Sequence, residues 1–227
     1  MRLIASAAPT ASVHLGGESL WLLPEKAVWL PASRTLLIAD AHIGKAVSFR
    51  RLGVPVPRGT TSETLALLSD LVARWSAERI IFLGDLLHSK AAFAPATMSA
   101  VAAWRAAHQK LALTLVRGNH DDHAGDPPAS LGIEVVDEPL KLGGLALCHH
   151  PRPSDAGYAL AGHLHPCVSL SGRAGDSLRL PCFWFGERVG VLPAFGAFTG
   201  MHAIRAARGE RVFAVAGDQV REVPRLN

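Results

Sequence analysis

Cysteine is scarce in this chain. Cys148, Cys167 and Cys182 are an odd number at no repeating spacing, which argues against a disulfide framework or a cysteine-type zinc site and fits a reducing cytoplasm. No apolar run reaches the roughly 18 residues that a membrane-spanning helix needs. No apolar lid or amphipathic membrane helix stands out either, so a lipid substrate is disfavoured. The N-terminal MRLIASAAPTAS resembles a secretory signal only superficially, because its apolar core is short and rich in Ala and Ser. Low-complexity linkers and solenoid-period repeats are missing. So are helix-turn-helix and zinc-finger patterns, and any nucleic-acid contact is expected to be backbone-directed and poor in sequence preference.

What is present suits one globular domain spanning 1–227, since 227 residues at 49% hydrophobic content can bury a sizeable core. Lys and Arg outnumber Asp and Glu by 23 to 19, a net charge of +4 that mildly favours an anionic partner. The spacing predicts an N-terminal strand hairpin within residues 1–31, with Ser12–Leu15 and Ser19–Leu23 about the Gly16-Gly17 turn, then Ala27–Leu30. Thr35–Ala39, Arg79–Leu83 and Leu111–Val116 read as buried strands. They alternate with helices that start at Thr60, where Glu63 stands at capping-box spacing, and over Ala96–Lys110. From Ile133 onward short strands dominate, and residues 171–227 read as strands alone.

Eleven histidines are the compositional oddity, and their placement matters more than their number. Five strands end on metal-competent residues: Asp40-Ala-His42; Gly84-Asp85 with His88 behind; Gly118-Asn119-His120-Asp121; His149-His150; and Gly162-His163-Leu-His165. Each alone is a weak motif, and surface histidines or polar turns would explain any one of them. Together they predict convergence, because the carboxyl ends of parallel strands open onto one crevice. Carboxylate, amide oxygen and imidazole suit manganese, iron or zinc. The donors are too numerous for one catalytic ion with an open position, so two ions are expected.

In order and type these residues resemble the calcineurin-like binuclear metallophosphoesterases, whose signature runs D-x-H, G-D, G-N-H-[DE], H, G-H-x-H. The resemblance implies a layered α/β fold, a β-sandwich flanked by helices as four layers α/β/β/α, with the N- and C-terminal strands completing its sheets. It also implies that Asp40, His42, Asp85 and His165 hold one ion, and Asp85, Asn119, His149 and His163 the other, with Asp85 bridging. His149 is chosen over His150 because it directly follows the strand. His120 would be the non-ligand imidazole that assists the leaving oxygen, while the ions activate the attacking hydroxide. Where the phosphatases of the superfamily carry G-D-x-x-D, this chain has His88, as in the nuclease branch. His88 is therefore a second catalytic candidate, through the phosphodiester itself or through a supporting hydrogen bond.

The flanking stretches FLGDLLHS, LVRGNHDD, ALCHHP, LAGHLHPCV, LPCFWF and VLPAFGAFTG are similar to the ligase-associated DNA damage response metallophosphoesterases. That closer resemblance implies a manganese-dependent DNA endonuclease in repair, functionally associated with an ATP-dependent DNA ligase and a helicase. Alternatives are a phosphodiesterase or pyrophosphatase acting on a nucleotide or lipid-linked nucleotide, and a non-catalytic scaffold. From Ala41 to Thr60 the chain carries Lys45, Arg50, Arg51 and Arg58 with no acidic residue. These residues form a candidate phosphate track for DNA, single-stranded by expectation, and Arg117 is a further phosphate candidate. Phe183, Trp184, Phe185, Phe195 and Phe198 are base-stacking candidates, with core packing their commoner use.

Overall fold

A computed structural model describes residues 11–56, 59–171, 177–197 and 199–224. The first sheet grows from an antiparallel meander of β1 (Ala11–Leu15), β2 (Glu18–Leu22), β3 (Ala27–Leu30) and β4 (Thr35–Ile38). From β4 the direction is constant, as β5 (Arg79–Leu83), β6 (Ala112–Val116) and β7 (Ile133–Val136) add in parallel. Parallel neighbours need crossovers, and helices supply them. α1 (Lys45–Arg51) and α2 (Thr60–Trp75) lie between β4 and β5, α3 (Pro95–Ala107) between β5 and β6, and the short α4 (Asn119–Ala124) between β6 and β7.

The expected capping box at Thr60 does not form. Gly59, with φ 101, is the N-cap, and its carbonyl rather than a side chain accepts from Glu63 N at 2.9 Å. A left-handed glycine turns the chain into the helix directly, leaving Thr60 inside the first turn.

The second sheet comprises β8 (Leu140–Leu142), β9 (Leu145–Leu147), β10 (Tyr158–Ala161), β11 (Pro166–Ser171), β12 (Ser177–Phe185), β13 (Val189–Val191), β14 (His202–Ala203), β15 (Arg211–Ala216) and β16 (Gln219–Glu222). Its main path runs β14-β11-β12-β13-β10-β9-β8, with β15 joined to β12 and β16. β9 and β10 are parallel neighbours, so their carboxyl ends also point one way.

Period-two alternation divides the first sheet between two cores. Leu36, Ile38, Ile80, Phe82 and Leu115 pack under the helices with Leu65, Leu68 and Leu71 of α2. Leu37, Ala39, Ile81, Leu83 and Val116 face the second sheet, against Leu145, Leu147, Leu160, Phe183, Phe185, Leu192 and Phe213. Each such large side chain contributes about 1.5–3 kcal/mol by leaving water, so this inter-sheet layer sets how the two sheets meet.

The β-sandwich with flanking helices is the expected one, with one difference. Among the described residues every α-helix lies between Lys45 and Ala124, so the second sheet carries no outer helical layer. Many of its strand pairs are antiparallel and need only turns, and a small cluster of Val168, Cys182, Val212 and Ala214, packed by Ile204 and Val223, covers that face instead.

Candidate metal centre

The donors stand where apolar strands stop. β4, β5 and β6 deliver Asp40, Asp85 and Asn119 from the first sheet, while β9 and β10 deliver His149, His163 and His165 from the second. The chain turns sharply there. Among the described residues eight non-glycines have positive φ, and five of them are Asp40 (52), His42 (46), Asp85 (50), His163 (71) and His165 (50). That conformation costs about 1 kcal/mol or more at a residue with a Cβ, so strain is concentrated at this centre. Close approach adds to it: a Cβ at Gly118 would lie 2.5 Å from Asp85 Oδ1, and one at Gly84 would overlap the His149 ring.

Backbone bonds lock the pieces together across the sheets. His163 N donates to Asp40 Oδ2 at 2.9 Å, His120 N to Asp85 Oδ1 at 2.9 Å, and His42 N to the Asp85 carbonyl at 2.9 Å. Asp121 is buried and accepts from Gly118 N at 3.0 Å and Leu87 N at 3.2 Å, so it holds two loops of the site. Burial pushes its carboxyl up to about 6, against the lowering effect of those two bonds.

The side chains fit cations. His149 Nδ1 donates to Leu83 O at 3.1 Å and His165 Nδ1 to Gly200 O at 3.0 Å, which leaves each Nε2 with its lone pair. His149 Nε2 lies 2.8 Å from Asn119 Oδ1, 3.0 Å from His163 Nδ1 and 3.5 Å from Asp85 Oδ1. His165 Nε2 lies 3.3 Å from His42 Nε2 and 3.6 Å from Asp40 Oδ1. Asp40 Oδ1 and His42 Nδ1 are buried with no hydrogen-bond partner. Lone pairs facing one another in a buried cluster are costly unless a positive ion lies among them. Burial, followed by the charge of Lys45 and the neighbouring imidazoles, drives His42 down to about 2, and burial lowers His163 as well. Both are held neutral, the form that ligates.

Two sets of donors within 4.8 Å of one another share Asp40: Asp40, His42 and His165, and Asp40, Asp85 and His149. A third joins His149, His150 and His163. His149 is fully buried. His150 is half-exposed, and Glu138 holds it by Nδ1 at 2.8 Å and by its N–H at 2.9 Å. Glu138 also accepts from His149 N at 2.7 Å, and no local motif in the sequence could have marked it.

His120 stands at the rim, 40% exposed, with Nε2 3.9 Å from Asp85 Oδ2. Its Nδ1 donates to the backbone carbonyl of His88 at 2.8 Å. The His88 ring stacks on His120 at 4.9 Å between centroids and on Phe49 of α1 at 6.5 Å. Burial and then Lys45 lower His88 to about 4, so the ring is neutral near pH 7. Phe49 was not foreseen, because nothing in the sequence marks α1 as a cover for this stack.

Of the basic stretch, Lys45 reaches the centre. Its ammonium sits over Phe49 at 5.9 Å and is close enough to Asp40 and Asp85 to feel both charges, although burial is what chiefly lowers its pKa. Arg50 is exposed on α1, Arg51 ends that helix, and Arg58 lies outside the described residues. Arg117, the further phosphate candidate, is engaged by carboxylates of its own chain. Its guanidinium forks onto Asp126 at 3.1 and 3.0 Å and also binds Asp137, so three N–H groups are already committed to carboxylates. The stacking candidates among the described residues are packing residues. Phe183, Phe185 and Phe195 are buried, Trp184 donates to Glu210 at 2.9 Å, and Phe198 lies outside the described residues.

No family model and no curated protein matches the chain. Among solved structures, the Pseudomonas putida nuclease MPE aligns at 47% identity over 94% of this chain and 99% of that one, with a TM-score of 0.84. The E. coli phosphoesterase YfcE aligns at 13% identity over 83% of this chain and 97% of that one, with a TM-score of 0.37, too loose a likeness to bear on the site. That first match pairs near-complete mutual coverage with high identity, and the buried donors of this chain face one another as a divalent-ion site would require. The chain belongs to the calcineurin-like metallophosphoesterases, which hydrolyse phosphoesters with the help of metal ions.

Proposed function

We propose that this protein is a DNA endonuclease, binding DNA by its backbone, with a preference for single strands. The observation that carries the reading is the convergence of seven metal-competent side chains from both sheets beside the half-buried cation Lys45. The 47% identity to a chain named a nuclease supports the substrate class. Asp40, His42, Asp85 and His165 would hold one ion, and Asp85, Asn119, His149 and His163 the other. The mixed donors suit manganese best, with iron or zinc as alternatives. When bound, the ions supply Lewis-acid stabilisation of the phosphoryl charge and activation of the attacking water.

The protein's own residues do the rest. With Nδ1–H committed to the His88 carbonyl, His120 keeps Nε2 as the atom that exchanges a proton with the leaving oxygen. The neutral His88 ring, stacked between Phe49 and His120, fixes the plane of that imidazole. Lys45 is placed to neutralise a phosphate oxygen. A repair role beside an ATP-dependent DNA ligase and a helicase rests on the sequence resemblance.

The test is to incubate the purified protein with manganese and closed-circular single-stranded DNA, in parallel with a panel of nucleotides. Linearised circles are expected. Nucleotide turnover without DNA cleavage would replace this reading with a nucleotide phosphodiesterase, and digestion of linear single strands in a parallel reaction that leaves the circles intact would make the enzyme an exonuclease.

A further inference from the structure

A cavity of about 180 Å³ adjoins His165, walled by Lys26, Pro181, Gly196, Thr199 and Met201. Lys26 lies in the tight turn between β2 and β3, where its N–H donates to Leu23 O at 2.9 Å and its φ is 64. Glycine or asparagine takes such a position at less cost, so the lysine side chain is present in spite of its backbone. Nζ donates to Phe195 O at 2.9 Å. Phe195 N donates in turn to Ala39 O at 2.9 Å and Gly196 N to Asp40 O at 3.1 Å, so the ammonium is fixed to the segment that carries Asp40.

An ammonium has three donors, and this one uses a single carbonyl. Among the described residues Lys26 forms no ion pair, and burial alone pulls it down to about 8 with no carboxylate to raise it. A half-buried cation without a counter-ion is destabilising, and a residue needed only to tie the 195–196 segment would do better without the charge. An anion in the cavity removes that penalty. The neighbouring centre handles a polyanion in which every nucleotide brings a further phosphate.

We propose that Lys26 and this cavity form a phosphate subsite for the nucleotide adjoining the scissile bond, a proposal that rests on the nuclease reading. The reactive centre handles one phosphate, and Lys26 grips the next along the same strand, holding the strand in register by its backbone without reading a base.

The test compares wild type, Lys26→Met and Lys26→Arg, all loaded with manganese, over a range of potassium chloride concentrations. Two substrates are used: a fluorescent single-stranded oligothymidylate, and bis(p-nitrophenyl) phosphate, which has no second phosphate. In Lys26→Met, kcat/KM for the oligonucleotide is expected to fall several-fold through KM, and its log-log dependence on salt to flatten by about 0.7, the share of one phosphate contact on a single strand. Hydrolysis of the small diester should be unchanged, and Lys26→Arg should retain the wild-type slope. An unchanged slope in Lys26→Met overturns the subsite. So does an equal loss on both substrates together with a lower Tm, which would make Lys26 a structural staple. A wild type that cuts no oligonucleotide defeats the nuclease reading and the subsite together, whereas unaltered salt dependence in an active Lys26→Met enzyme defeats the subsite alone.

Discussion

Asp85 and His120 lie within a few ångströms of each other and are expected to behave differently when removed. Asp85 faces donors of both proposed ion sets, with Oδ1 3.5 Å from His149 and Oδ2 4.0 Å from His42. Asp85→Ala should therefore lose both ions and all activity, which metal analysis of the folded protein after dialysis would check. His120→Ala should keep its metal content while turnover falls by about 10²–10⁴, more steeply on substrates with poor leaving groups. A His120→Ala protein stripped of metal would make that imidazole a ligand. Lys26 supplies a pH prediction. Its folded pKa of about 8 is below the value of 10.5 for the free side chain, so the unfolded chain holds more proton between them. The penalty is complete below pH 8 and fades as pH rises towards 10.5. Denaturant melts should find Lys26→Met more stable than wild type at pH 7, by on the order of 1 kcal/mol, with the difference closing by pH 10.

At the level of elements, the strand ends are packed so closely that glycine alone fits at Gly84 and Gly118. Gly118→Ala would press a methyl group to 2.5 Å of Asp85 Oδ1. Overpacking of this kind costs about 1–3 kcal/mol, so a drop in Tm and weaker manganese binding are both expected, measurable by calorimetry and metal titration. The strands that carry the donors were legible because each is an apolar run broken abruptly by Asp, Asn or His, a pattern that needs no tertiary knowledge. β4, β5 and β6 all lie within a residue or so of their expected spans. α1 and α4 were not legible. KAVSFRR is short and has no side-chain cap, and NHDDHA is wholly polar apart from one alanine, so neither shows helical periodicity. The turn of α4 follows from the bonds that Asp121 makes to Gly118 and Leu87, which only the folded loops provide. For the same reason the carboxylates that engage Arg117 were not foreseen: Asp126 and Asp137 are nine and twenty residues away in sequence.

For the whole molecule, the relation between the two sheets is also the geometry of the centre. Asp40, His42, Asp85 and Asn119 belong to the first sheet and His149, His163 and His165 to the second, while Leu160 and Phe183 lie in the layer between them. Leu160→Ala should cost about 2–5 kcal/mol through the cavity it leaves, and should also weaken manganese binding although it touches no donor. Thermal melts of wild type should rise with added manganese and fall on chelation, since only the docked sheets present the full set. An Ala variant in the helix-side core, such as Leu68→Ala, should lower Tm comparably with less effect on metal affinity. Equal effects from the two cores would show that the inter-sheet layer has no special role. Metal-dependent phosphoester hydrolysis was accessible from motif order, whereas the missing helical layer over the second sheet depends on its hairpin connections, which the apolar pattern alone does not reveal.

Each proposed ion takes donors from both sheets, and the first sheet's donors end at Asn119 while the second's begin at His149. A chain still emerging from the ribosome thus has an incomplete claw for either ion, three donors of four for one and two of four for the other, until β10 and the turn after it are made. Metal would be acquired late, after the two halves have found each other. A truncated or misdocked product would remain unloaded, and so without hydrolytic activity.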